Sequence, residues 1–158
     1  EEKLTKNTQL RNNEYYRMQQ EYDYLYAQSK NGRKFNHLIE RIIKPNNIRL
    51  AYRNIKQNKG SKAKGVSGKN MSWLAKLRLE TYIKIVTNGI DNYIPGKIRR
   101  KEIPKSNGKV RILGIKEPID KIIEQSIYQI LDPIVTAKFH NNSNGLLRKG
   151  VQVEQYHN

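Results

Sequence analysis

Between Lys97 and Arg111 the chain carries Lys97, Arg99, Arg100, Lys101, Lys105, Lys109 and Arg111, against the single acid Glu102. Guanidinium forks and ammonium groups clustered this closely suit phosphate, which several cations aimed together can grip. They flank Ser106-Asn107-Gly108-Lys109, where Asn-Gly tolerates the positive φ of a tight turn between two β-prone segments. The spacing predicts an antiparallel hairpin. Val110 and Ile112 would lie on one half-buried face of its second strand and Arg111 on the other, with the cations projecting into one solvent-facing groove. Charge that blocks edge-to-edge aggregation of a sheet is the competing explanation. The arginine content and the clustering favour phosphate.

A second basic stretch precedes the hairpin. Residues 41–79 carry eleven Lys and Arg and no acid. Their middle, residues 58–69 (NKGSKAKGVSGK), reads as a flexible Gly/Lys/Ser loop that buries nothing. It lacks the Gly-x-x-x-x-Gly-Lys-Ser/Thr pattern and the preceding apolar strand of a nucleotide cradle. Contact with a phosphate backbone, through lysines and bare glycine amides, fits better.

Other chemistries find little support. The 14 acids are dispersed, and the three histidines, His37, His140 and His157, form no pairing of nucleophile and base. His37 has no second His or paired carboxylate at ligand spacing and reads as a surface or boundary residue. No catalytic residue and no metal ligand is therefore expected in this chain. There is no cysteine, so no disulfide framework is expected. The 158 residues give room for one domain or a fragment of a larger one, and 36% hydrophobic content supports a modest core. A net charge of +17 and a pI near 10.1 make a self-repelling surface, for which a polyanion is the economical partner. Nucleic acid ranks above membrane because no long apolar run exists. The first residues are acidic and polar, unlike a signal peptide, which favours the cytoplasm.

These charges need elements to position them. Residues 1–13 are polar and unpatterned and read as a loose lead-in. Residues 14–28 show helical spacing at Tyr15, Met18, Tyr22 and Leu25, with Tyr24 and Tyr26 off that stripe as candidates for a partner surface. Phe35, Leu38, Ile39, Ile42 and Ile43 predict a helix that Pro45 ends. Asn46 or Asn47 would cap the next one, carrying Ile48, Ala51, Tyr52 and Ile55. Ser72 would cap a helix running to about Asn88, with Trp73 as a core anchor and Gly89 as its stop. Glu117-Pro118 opens the strongest amphipathic pattern, Ile119 to Ile134, interrupted by Pro133 and expected to back the hairpin.

On these residues the chain resembles a family. The run Ile98-Arg99-Arg100-Lys101-Glu102-Ile103-Pro104-Lys105, then Asn107-Gly108-Lys109-Val110-Arg111 and Leu113-Gly114-Ile115, is similar to the fingers motif of group II intron-encoded reverse transcriptases, the maturases. Ala51-Tyr52, Asn54-Ile55-Lys56, Asn58-Lys59-Gly60-Ser61, Gly65-Val66 and Gly68 resemble that family's extra N-terminal motif, whose loop lies along the template. Ser67 stands where the family usually has Asp. Asp120 to Ile123 and Ile130 to Ile134 match its following helix. Asn142-Ser143-Asn144-Gly145 departs from its Asn-Ser-aromatic-Gly, with Leu146-Leu147 in place of Phe-Arg and Arg148 one position late. The resemblance covers roughly residues 47–150.

The resemblance implies an α+β fold, a mostly helical fingers subdomain with a small antiparallel β-hairpin. Residues 1–45 would form an N-terminal helical extension and residues 46–158 the fingers region, without the palm. It implies that Lys105 and Arg111, with Arg99 nearby, contact the triphosphate of an incoming nucleotide. Lys59, Lys62, Lys64 and Lys69, with Arg100, Lys101 and Lys109, would hold RNA. The parent would copy RNA into DNA with Mg²⁺ bound by palm carboxylates, bind intron and template RNA, take dNTP and assist splicing. No Tyr-x-Asp-Asp occurs in this chain, which is expected to be inactive alone. A stand-alone basic RNA-binding module is the alternative, and homodimerisation is a further expectation, since helices lacking a palm would expose apolar surface.

Overall fold

Pro118–Phe139 forms α7, the longest helix, and its inward positions show why it folds there. Ile122, Ile123, Ile130 and Ile134 are buried with Ser126, Gln129, Thr136 and Ala137 on the same side, and the set recurs at three-, four- and seven-residue intervals. Pro133 is buried inside the helix, which continues past it. The structure is a computed structural model that describes residues 2–139, with side chains from Thr8 onward. The expectations at His140, Asn142 to Leu147, Arg148 and His157 lie outside the described residues.

The chain divides into two compact units, one made of the residues up to Asn54 and from Gln125 on, the other Ile55–Glu124. The division falls within the helix Pro45–Lys56 and within α7.

The first unit begins with α1 (Glu2–Tyr15), where the sequence suggested a loose lead-in. Its polar composition hides it, because a helix with so few apolar residues carries no periodic signal. The single helix expected over residues 14–28 is broken at Arg17, whose φ of 57° is left-handed. There Met18 N donates to Asn13 O and Arg17 N to Glu14 O, the paired bonds that close a helix end. α2 (Gln19–Lys30) ends in the same way at Gly32, with φ of 77°. Tyr22, Leu25 and Tyr26 of α2 are buried, each stabilising the unit by roughly 1.5–3 kcal/mol. Tyr26 is thus core, contrary to its expected place on a partner surface, whereas Tyr24 is exposed with Arg41 over its ring.

α3 is one short turn, Leu38–Ile42, and the longer helix expected from Phe35 onward does not form. Ile42 is buried while Ile39 is 55% exposed. Pro45 opens α4 (Pro45–Lys56) rather than merely closing its predecessor, since the first helical residue needs no N–H donor. Asn47, expected at a cap, is instead fully buried. Its side chain donates to Ile42 O and Ser126 O and accepts from the Tyr22 hydroxyl and from Gln129 Nε2. Burial pushes the Tyr22 phenol far above its ordinary pKa, so it stays a donor. Glu21 is pushed up by burial, but hydrogen bonds from Arg41 and Lys44 outweigh this and hold its carboxyl below the usual range.

The second unit holds the basic segments. A 3-10 turn, Lys59–Lys62, leads to the loop, then α5 (Met71–Leu74) and α6 (Leu79–Asp91) replace the single helix expected from Ser72. Asn70, not Ser72, caps α5 by accepting from Ser72 N. Met71 and Leu74 are the buried residues of α5, while Trp73 is half-buried with Lys69 Nζ 4.1 Å over its ring. Gly89 lies inside α6 rather than beyond its end, because a Cβ there would meet Ile123 Cδ1 at 2.8 Å. β1 (Arg99–Pro104) and β2 (Val110–Ile115) then pair as the expected antiparallel hairpin, a two-stranded sheet. The fold is α+β, mostly helical with a small hairpin.

Candidate nucleic-acid interface

The hairpin tip and the loop close with one hydrogen-bond pattern. At the tip, Lys105 N donates to Lys109 O at 2.8 Å and Gly108 N to Lys105 O at 3.2 Å. In the loop, Gly65 N donates to Lys69 O at 3.0 Å and Gly68 N to Gly65 O at 3.1 Å. Gly108 and Gly68 have φ of 76° and 77°, the one position in each turn that requires a left-handed residue. A side chain then folds back on the following lysine. Asn107 Oδ1 accepts from Lys109 N at 3.2 Å, and Ser67 Oγ accepts from Lys69 N at 3.3 Å. Asn107 itself does not have positive φ, so the Asn-Gly pair forms a wider turn than the two-residue one its composition suggests.

The loop is not the free segment its composition predicts. Gly65 is buried, and a Cβ there would fall on the Glu117 carboxyl group. Glu117 accepts from Ser67 N at 2.9 Å and from the Ser67 hydroxyl at 2.6 Å. Burial raises the Glu117 pKa, but the bonds from Ser67 and the Val66 amide, with Lys69 nearby, hold it below the ordinary carboxylate value. Lys121 Nζ donates to Gly60 O at 3.3 Å, and burial lowers its pKa. Arg99 Nε donates to Lys64 O at 2.8 Å, and Asn70 Nδ2 to Lys62 O at 3.3 Å. The 3-10 turn and the loop are thus tied at both ends and in the middle. Sequence reading missed Glu117, Lys121 and Asn70 in this role. Only Glu117 offered a sign, as an acid just ahead of a helix-opening proline, and nothing local indicated its partner.

The cations do not share one groove. Cross-strand partners share a face, and the register pairs Arg99 with Ile115, Lys101 with Leu113 and Ile103 with Arg111. The other face holds Arg100, Glu102 and Pro104 with Gly114, Ile112 and Val110. Each face therefore mixes cations with apolar residues. Nor is the face of Val110 and Ile112 half-buried, since they are 54% and 60% exposed. Of both strands Ile115 alone is buried, so α7 does not back the hairpin as expected. Lys105 lies at the tip beside Lys109. Arg111 lies nearby on the ladder, whereas Arg99 sits at the far end, roughly 13 Å along the strand from Arg111's partner.

Among the described residues no three of His, Cys, Asp and Glu gather as a group that could hold a metal ion. Among them, too, no helix is long and apolar enough to cross a membrane. His37 is exposed, its Nδ1 3.5 Å from Glu40.

A mostly helical α+β chain with a basic hairpin is the class that this fold defines. No family model matches it. Over 114 residues the chain is 33% identical to Protein YkfC of Escherichia coli (strain K12), covering 71% of this chain and 30% of that protein. It is 30% identical over 112 residues to the Group II intron-encoded protein LtrA of Lactococcus lactis subsp. cremoris, covering 70% of this chain and 18% of LtrA. With the Putative COX1/OXI3 intron 2 protein of Saccharomyces cerevisiae (strain ATCC 204508 / S288c) the identity is 34% over 101 residues, 61% of this chain and 11% of that protein. The chain is thus related by sequence to group II intron-encoded proteins, as the hairpin resemblance led us to expect. It spans less than a third of the length of these relatives.

Proposed function

We propose that the chain is the RNA-holding fingers portion of a group II intron reverse transcriptase and maturase. Lys59, Lys62, Lys64 and Lys69 grip the RNA backbone from the pinned loop, with Arg100, Lys101 and Lys109 adding contacts on the hairpin. Lys105 and Arg111, close together near the hairpin tip, serve the triphosphate of an incoming nucleotide. Arg99 acts as a positioning residue, because its Nε is engaged with Lys64 O. The parent copies RNA into DNA with Mg²⁺ held outside the described residues, and it assists splicing of its intron. The observation that carries this reading is the pair of matching turns, each ending in Gly-Lys, one of them anchored by Glu117.

The test is fluorescence anisotropy of a structured intron-type RNA with the whole chain, between roughly 50 and 200 mM salt. Counterion release predicts a loss of affinity of about a hundredfold or more. Affinity unchanged over that range would overturn the reading. Primer extension by the rigorously purified chain should give no incorporation, since among the described residues no three of His, Cys, Asp and Glu gather to hold the metals of a two-metal reaction.

A further inference from the structure

A second basic surface lies in the other unit, in a groove between α1 and α4. Thr8, Arg11, Asn12 and Tyr15 follow one another at helical spacing along α1 and line this groove with Tyr16 and Arg53. The Arg49 guanidinium stands 5.4 Å over the Tyr16 ring, one helical turn before Arg53 on α4. Among the described residues no carboxylate lines the groove; Glu14 of α1 lines a different one, with Arg17, Gln19, Gln20 and Asp23.

Tyr15 is the residue that solvation leaves unexplained. It is 76% exposed, yet its ring has an aromatic neighbour. It packs edge-on against Tyr16, with centroids 5.0 Å apart and planes at 79°, and Tyr16 is in turn covered by Arg49. The result is an aromatic face packed on one edge and open to water, beside guanidinium groups for which the described residues of the groove supply no carboxylate. Such a face presents what an unpaired base needs for stacking, and the arginines present what its flanking phosphates need.

We propose that this groove is a base-stacking site for single-stranded nucleic acid, with Tyr15 as the platform and Arg11 and Arg53 on the neighbouring phosphates. The site is built from residues other than those of the loop and hairpin, and it does not depend on the role given to them. A duplex, whose bases are already stacked, gains nothing from Tyr15. A single strand does.

The experiment uses the whole chain with two probes, single-stranded oligouridine carrying one fluorescent adenine analogue, and an RNA duplex. Tyr15→Ala should weaken single-strand binding about tenfold and abolish the change in analogue fluorescence, while duplex affinity stays as it was. Tyr15→Phe, which keeps the ring, should bind as the natural chain does. Arg11→Gln with Arg53→Gln should lower the single-strand salt slope by about 1.4. These effects should persist in a Lys62→Ala, Lys64→Ala background, which separates them from any failure of the loop. An equal loss on duplex and single strand, no loss with Tyr15→Ala, or a Tyr15→Phe variant as weak as Tyr15→Ala would each overturn the proposal.

Discussion

Glu117 accepts two hydrogen bonds from one residue, Ser67, at 2.9 Å from its backbone nitrogen and at 2.6 Å from its hydroxyl. The hydroxyl must donate for this pairing to exist. An aspartate at this position, usual in the family the chain resembles, would set two carboxylates against each other. Ser67→Asp and Glu117→Ala should therefore both release the loop, while Ser67→Thr should keep it. With roughly 1–2 kcal/mol of local stability lost, trypsin cleavage after Lys62, Lys64 and Lys69 should quicken about tenfold. Unchanged cleavage in both releasing variants would show that the loop is held by other contacts.

The same pairing predicts a pH dependence. The folded state holds Glu117 below its ordinary value of 4.5. A depressed carboxylate contributes stability above that unfolded value and loses it as pH falls through the folded one. The Ser67 amide resonance should hence titrate at a pH below about 4.5, and Glu117→Gln should remove that titration. Glu21 is depressed as well, by Arg41 and Lys44, so a global melt in acid would mix the two groups and only the local amide distinguishes them.

In a parent enzyme carrying its palm, Arg99 and Arg111 should separate. Arg111→Ala should raise the nucleotide KM roughly tenfold or more, the usual worth of a charge-assisted bond. Arg99→Ala should instead weaken template binding, as Lys62→Ala with Lys64→Ala does, because Arg99 supports the loop through Lys64 O. Steady-state extension with nucleotide and template titrated separately decides it. A collapse of template affinity in Arg111→Ala with KM unchanged would refute the division.

Asn47 joins residues far apart in sequence, and its replacement loosens all of them. Asn47→Leu takes from the buried Tyr22 hydroxyl its acceptor, from Ile42 O and Ser126 O one donor each, and from Gln129 Nε2 one of its acceptors, leaving it Asn47 O and the Tyr22 hydroxyl. The expected cost is roughly 2–4 kcal/mol, a fall in Tm of about 5–15 °C by circular dichroism. A melting temperature within about a degree of the natural chain's would refute it.

The hairpin, α4 and α7 were legible because their signals are local: Asn107-Gly108 between β-prone runs, and Ile48, Ala51 and Ile55 or Ile122, Ile130 and Ile134 at helical spacing. α1 was hidden by its polarity. The break at Arg17 was hidden because a glycine usually marks such an end, and here a cation takes the left-handed conformation. Gly89 misled in the opposite direction, since its small size answers to Ile123 rather than to a helix end. The loop misled most. Its glycines and lysines describe a coil, and the Glu117 that pins it lies 50 residues away. The phosphate-facing candidates were readable as charge, while their division between two faces of the hairpin follows from a register that composition does not encode.

The two matching turns share a backbone geometry but not a chemical fate. Ser67 precedes Gly68 where Asn107 precedes Gly108. An asparagine side chain followed by glycine can close to a succinimide and reopen as aspartate or isoaspartate, one reason asparagine counts as thermolabile. Serine has no such route. Ageing would thus set a carboxylate between Lys105 and Lys109, and isoaspartate would also lengthen the backbone so that their pairing no longer closes. The hairpin tip carries a clock set by temperature and pH, and the loop, built to the same pattern, does not.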